Sequence, residues 1–200
     1  MSSEQKLVLA SANVGKIKEL QGLLGGLGFS IVPQTDLNIP DIEETGLTFV
    51  ENAILKARNA AALSNLPAVA DDSGLEVDYL QGAPGIYSAR FAGEGATDAT
   101  NREKLRDLLS GVPDDQRTAR YQTVIVYMAH ANDPTPIICQ GTWEGAIAWE
   151  EQGDGGFGYD SLFHVPKYDC RAAELDNSTK NRLSHRGQAT AALLLKLQSR

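Results

Sequence analysis

The sequence is short of cysteine, histidine and positive charge, and it has no long apolar run. Its two cysteines, Cys139 and Cys170, form neither a CxxC motif nor a framework. That excludes a disulfide-built scaffold and makes a reducing cytosol the expected compartment. His130, His164 and His185 are the only histidines and show no Cys/His spacing, which argues against a zinc site. No apolar stretch approaches the roughly 18 residues of a membrane span. The amino terminus, Met1-Ser2-Ser3-Glu4-Gln5-Lys6, lacks the apolar core of a secretory signal, so a cytoplasmic protein is expected. Lys and Arg number 18 against 26 Asp and Glu, a net charge of −8. This balance excludes a general nucleic-acid coat and an anionic membrane surface as partners. An anionic small molecule stays open, because a metal and a few local cations reverse the field inside a cleft.

What is present is an ordinary globular composition, 42% hydrophobic and 22% charged over 200 residues. That suffices for one domain or two tightly joined lobes. The stretch Ala70-Asp71-Asp72-Ser73-Gly74 carries the most chemistry. It follows the apolar Leu66-Pro67-Ala68-Val69, so Ala68–Val69 reads as the end of a buried strand and the aspartates as its exposed tip. Two adjacent carboxylates repel each other unless a cation sits beside them. Mg²⁺ is usually held by one or two carboxylates plus substrate phosphates. Ser73 and Gly74 supply a small donor and a tight turn where a phosphate can approach the backbone. The same residues also make an ordinary solvated turn.

Upstream, Lys6–Ala10 reads as a buried strand, Ser11-Ala12-Asn13-Val14-Gly15-Lys16 as a loop of small residues, and the next stretch as a helix to about Leu27. Its apolar face is Ile17, Leu20, Leu24 and Leu27. Strand, loop and helix in this order aim backbone N–H groups and a helix dipole at an anion. Lys16, in the first turn, does nothing for that dipole and makes sense as a phosphate ligand; an Asn-capped helix with an exposed lysine is the alternative. The spacing is not that of a Walker A loop. Phe29–Pro33 reads as a second strand, and Gln34–Gly46 as an acidic loop with Asp36, Asp41, Glu43 and Glu44. A helix over Thr48–Leu63 buries Phe49, Ala53, Ala57 and Ala60/Ala61, leaving Asn52, Lys56 and Asn59 on its polar side. The order β-α-β-α-β predicts an α/β layered sheet, whose ligands sit beyond the strand ends.

Downstream, residues 82–93 form a long Gly-rich loop and Thr97–Leu109 a helix with Asp98 near its start. Arg117–Ala131 and Ile137–Trp149 read as long strands of a β-rich lobe covering the crevice. Gly153-Asp154-Gly155-Gly156-Phe157-Gly158 matches GxGxxG by letter, but neither a βαβ unit nor a following helix supports a dinucleotide fingerprint. A loop presenting Phe157 and Tyr159 to a ligand is the better reading, with core aromatics beneath a Gly turn as the alternative. In Ser184-His185-Arg186-Gly187, the serine is a candidate helix cap and the basic pair a candidate reader of an electron-rich base edge.

Five segments in order now carry a resemblance: Ser11–Lys16, Glu51-Asn52-Ala53-Ile54-Leu55-Lys56-Ala57, Ala70–Gly74, Gly156-Phe157-Gly158-Tyr159-Asp160 and Ser184–Gly187. Together they resemble the inosine/xanthosine triphosphate pyrophosphatases of the bacterial RdgB type, from about Lys6 to the last helix. Ser11-Ala12 stands where Thr-Gly is common there, and Asp160-Ser161 where Asp-Pro is common. The resemblance implies one ITPase-like domain: a two-lobed α/β subunit around a long mixed sheet flanked by helices, with the active site in the cleft between lobes. The α/β lobe would span about residues 1–110 plus the last helix, and the β-rich lobe about 117–165. It implies a homodimer and Mg²⁺-dependent hydrolysis of ITP, dITP or XTP to the monophosphate and pyrophosphate, which cleanses the nucleotide pool.

Carried over residue by residue, Ser11, Ala12, Asn13, Val14, Gly15, Lys16 and Lys56 hold the triphosphate. Asp72 is general base and metal ligand, and Ser73 contacts substrate. Phe157, Gly158, Tyr159, Asp160, Lys180, His185 and Arg186 surround base and sugar. Glu43 or Glu44 joins Asp72 at the metal, with Glu43 favoured. Two other classes stay open: a non-catalytic nucleotide-binding module, against which the acidic residues speak, and a metal-dependent phosphatase releasing orthophosphate.

Overall fold

The computed structural model describes residues 5–25 and 29–199. Seven strands, β1 (Gln5–Leu9), β2 (Phe29–Pro33), β3 (Ala68–Val77), β4 (Thr118–Met128), β5 (Ile137–Ile147), β6 (Phe163–Val165) and β7 (Cys170–Arg171), form one sheet in the order β2-β1-β3-β4-β5-β6-β7. The β1–β2 and β1–β3 pairs are parallel, and the β5–β6 and β6–β7 pairs antiparallel, so the sheet is mixed as expected. The helices are α1 (Val14–Leu24), α2 (Phe49–Ser64), α3 (Asp98–Leu108), α4 (Asn177–Leu183) and α5 (His185–Gln198). Leu27, expected to extend the first helix, and Met1–Glu4 lie outside the described residues. No helix among the described residues is long and apolar enough to cross a membrane.

The chain divides into two compact units. One takes its residues from Met1–Asp72, Thr123–Gly141 and Arg186–Arg200, the other from Ser73–Gln122 and Thr142–His185. The helix α3 belongs with the second unit, and the boundary passes through β3, β4 and β5 rather than between elements. Composition changes mark linkers, but a boundary inside a strand has no such mark.

In the first unit, β1 is apolar at consecutive positions because both its faces are covered. Leu7 and Leu9 pack with Leu20 and Leu24 of α1 and Ala189 and Leu193 of α5. Val8 and Ala10 pack with Ala53, Ala57, Ala60 and Ala61 of α2. The alternation continues in β3, with Val69 on the α1/α5 side and Ala68 and Ala70 on the α2 side. Alanines line α2 because its backbone lies close to the sheet. Thr48 caps that helix, accepting from the Glu51 N–H, and Asn65 closes it in the left-handed conformation.

The second unit has its own core, with Leu75 and Val77 of β3, Leu105 of α3, Tyr121, Trp143 and Phe163. Gly74 lies in this part of β3. A Cβ there would stand 2.2 Å from the carbonyl oxygen of Gly85, a backbone atom that cannot swing away. The Gly74→Ala protein is therefore expected to lose about 1–3 kcal/mol of stability, read as a lower urea midpoint at unchanged m-value.

Candidate active site

The aspartates are not an exposed tip. β3 runs straight through them, and Asp71 and Asp72 are 1% and 6% exposed. Adjacent strand residues point to opposite faces, so the two carboxylates enter different layers, each with cations close by. This removes the repulsion that made a turn the natural expectation from sequence.

On the α1/α5 side, Asp71 lies 3.3 Å from Lys16 Nζ and accepts hydrogen bonds from Arg186 Nε at 3.2 Å and Nη2 at 3.1 Å. The Thr123 hydroxyl donates to the same carboxylate at 3.4 Å. Burial pushes the Asp71 carboxyl up, but Lys16, Arg186 and Lys56 together outweigh it and hold the group well below the usual carboxylate range. Burial pulls the Lys16 ammonium below its ordinary value, against the attraction of Asp71. Arg186 Nη1 also donates to Glu19 of α1 at 2.5 Å. The guanidinium is thus a buried strut between two carboxylates.

On the α2 side, Asp72 Oδ1 is 2.7 Å from Lys56 Nζ, and Glu44 Oε1 reaches the same ammonium at 3.0 Å. Asn52 Nδ2 approaches the other Asp72 oxygen at 3.5 Å, and its own Oδ1 accepts from the Gly46 N–H at 2.8 Å. Asn52, on the polar side of the helix, is fully buried because it ties the acidic loop to the strand. Burial pushes the Asp72 carboxyl above its ordinary value, and Lys56 and Lys16 only partly offset this. Burial likewise opposes the charge on Lys56, but Asp72, Asp71 and Glu44 win and raise it.

Of the two glutamates weighed for a metal, Glu44 is half-buried and shares the Lys56 ammonium with Asp72, while Glu43 is exposed. Among the described residues no group of three or more His, Cys, Asp or Glu is arranged to hold a metal by itself. A pair of hard carboxylate oxygens does suit Mg²⁺, which takes its other ligands from water and phosphate oxygens.

The loop Ser11–Lys16 builds the start of α1. Asn13 is the N-cap and accepts from the Lys16 N–H at 3.1 Å, while Ser11 Oγ accepts from the Asn13 N–H at 3.2 Å. Ala12 and Val14 are exposed, and no acidic residue sits in the helix's first turn. The positive end of the dipole is thus left for an external anion.

The second unit brings together Phe157, Gly158, Tyr159, Asp160, Lys180 and His185. Asp160 is the hub: it accepts from Lys180 Nζ at 2.8 Å, the Phe157 N–H at 2.9 Å and the Tyr121 hydroxyl at 3.1 Å. Lys180 also stands 5.4 Å from the centre of the Phe157 ring. Burial and then Asp160 push the Tyr121 phenol well above its usual value, so it stays a donor. His185 stacks on Tyr121, ring centres 4.7 Å apart and planes within 8°. Tyr159 is a core aromatic, its hydroxyl donating to the Ser88 carbonyl at 2.8 Å. Ser73, half-buried in β3, is the first residue of this unit. Turns rather than a helix follow Gly158, as expected against a dinucleotide fingerprint.

A sequence model of the Ham1 family matches residues 7–196. The chain belongs to the Ham1 family. This Ham1 protein is 58% identical to a dITP/XTP pyrophosphatase of Photobacterium profundum, over 96% of its own length and 98% of that protein's. It is 59% identical to the dITP/XTP pyrophosphatase of Escherichia coli K12, over 95% and 96% of the two chains. A Ham1 protein from Coxiella burnetii has the same fold, with a TM-score of 0.89 at 50% identity, covering 98% of this chain and all of that one. The Staphylococcus aureus Ham1 protein follows at 0.85 and 40%, covering 98% and 99%.

Sequence reasoning missed the second partners of these residues: Glu19 for Arg186, Tyr121 for Asp160 and His185, and Thr123 for Asp71. Each lies on a different element from the residue it serves. For Tyr121 and Thr123 the only signal was a polar atom at alternate positions of an apolar strand.

Proposed function

We propose that this Ham1 protein hydrolyses non-standard purine nucleoside triphosphates (dITP, ITP and XTP) to the monophosphate and pyrophosphate, with Mg²⁺, as a homodimer in the cytosol. The observation that carries the reading is the pairing of Asp72 and Glu44 on one lysine, beside a second lysine at a helix start that lacks acidic residues. Full-length identity to proteins named dITP/XTP pyrophosphatases supports it.

In this reading Lys16, Lys56 and the Ser11–Lys16 loop take the triphosphate, with Ser73 beside it. The Asp72 carboxylate orients the attacking water and accepts its proton as the water's oxygen bonds to the α-phosphorus and the bond to the departing pyrophosphate breaks. Burial raises its proton affinity above that of a solvated aspartate. Asp72 and Glu44, rather than Glu43, would hold the cation. When bound, Mg²⁺ neutralises charge on the phosphate oxygens and the leaving pyrophosphate. Asp71 and Arg186 do not touch substrate but fix Lys16 and the strand that carries Asp72.

For the base, the Phe157 ring stacks on the purine, and Lys180 and His185 meet the 6-oxo edge, with Tyr159 and Asp160 holding the loop. Adenine's amino group would leave those donors unpaired, at a cost of about 1–3 kcal/mol each.

The test is turnover of ITP, XTP, ATP and GTP with Mg²⁺, with pyrophosphate and orthophosphate measured separately. Pyrophosphate from ITP and XTP with little from ATP and GTP is the expected result. Orthophosphate as first product would make the protein a phosphatase, and tight binding without turnover would make it a binding module.

A further inference from the structure

The loop that carries Phe157 is held by a helix outside the proposed substrate contacts. Asp98 and Arg102 of α3 stand four residues apart, on one face of the helix. They take both backbone groups of Gly158: its N–H donates to Asp98 Oδ2 at 2.7 Å, and its carbonyl accepts from Arg102 Nη1 at 2.8 Å. Gly158 lies at a φ of 65°, a conformation with little intrinsic preference to hold it in place.

Arg102 Nε also donates to Glu151 Oε2 at 2.8 Å, and the same oxygen accepts from the Ser161 hydroxyl at 2.9 Å. One arginine therefore ties the middle of the loop to both its ends. These groups line a cavity of about 370 Å³ together with Phe157 and Asp160. The helix behind them is anchored. Thr97 caps it with a reciprocal capping box, and Leu105 is fully buried in the core. Charged groups gripping a peptide carbonyl and amide from a fixed helix set a loop's geometry more firmly than hydrogen bonds within the loop do.

We propose that Asp98 and Arg102 are positioning residues for purine recognition: they fix the Gly158 peptide so that the Phe157 ring is pre-set to stack on the base. The proposal rests on the nucleotide reading given above. It assigns base selection in part to α3, which touches neither phosphate nor metal.

Steady-state kinetics of Arg102→Ala, Asp98→Ala and Asp98→Asn with ITP, combined with product inhibition by pyrophosphate, test it. Arg102→Ala and Asp98→Ala are expected to raise KM for ITP about tenfold, with kcat within about twofold and the inhibition constant of pyrophosphate unchanged. Asp98→Asn keeps an oxygen for the Gly158 N–H and is expected to restore wild-type KM. A KM unchanged in the alanine variants overturns the proposal. So does a parallel loss of pyrophosphate affinity, which would mean general loosening of the fold. A wild-type protein that fails to turn over ITP would instead sink the nucleotide reading itself.

Discussion

Replacing Asp72 by Asn is expected to cut ITP turnover by about 10³ or more while leaving the fold and nucleotide binding intact. A general base contributes about 10²–10⁴, and the same carboxylate is proposed to hold the cation, so both contributions fall together. Asn is nearly isosteric and keeps an oxygen for Lys56, which also retains Glu44 at 3.0 Å. The lysines stay in place, and with one negative charge fewer beside them the triphosphate binds at least as tightly. A single-turnover assay for kcat and a calorimetric titration for Kd separate the two effects. A variant within tenfold of wild-type turnover would remove Asp72 as the base.

The second large effect is on stability. Asp71→Ala removes the carboxylate that Lys16 and Arg186 both meet in a buried layer. Breaking a buried pair from one side costs about 3–5 kcal/mol. At roughly 2–4 °C per kcal/mol for a chain of this size, Tm should fall by about 6–20 °C. Removing both partners, in Asp71→Ala/Arg186→Met, should recover part of that loss, because an unpaired buried charge costs more than an absent pair.

The loss should also depend on pH. The folded-state carboxyl is held below its unfolded value, so its contribution is present above about pH 4 and fades as pH falls toward the folded value. The difference between Asp71→Asn and wild type should therefore shrink under acid. A Tm shift of a degree or two, independent of pH, would show that the layer tolerates the loss.

Much of the fold was legible because hydrophobic spacing reports burial directly. The run Leu7-Val8-Leu9 and the alanines of α2 announced layers on both faces of the sheet. Charge was harder to read, because its cost depends on partners that sequence spacing does not reveal. Asp71 and Asp72 looked like a turn since two carboxylates in a buried strand are prohibitive without cations. The cations come from α1, α2 and α5, and the strand's alternation sends one carboxylate to each layer. The same blindness left Asn52 on the polar side of its helix, with no sign that it is buried. Glu43 and Glu44 are alike by letter, and only the fold shows that Glu44 is the one that meets Lys56. Asp98 was visible only as a helix-start acid, and Arg102 carried no signal, because the peptide they hold is 60 and 56 residues away.

The bond between Arg186 and Asp71 spans 115 residues. Synthesis on a ribosome runs at about 5–20 residues per second, so roughly 6–23 seconds separate the two residues' emergence. For that interval the nascent chain carries β3 and the lysines of α1 and α2 without the arginine that neutralises the strand's inner carboxylate. The first unit takes its last segment from Arg186 onward, so it closes only when α5 has cleared the exit tunnel. A ribosome stalled before α5 should therefore expose an unfinished, protease-sensitive sheet, however many strands have already been made.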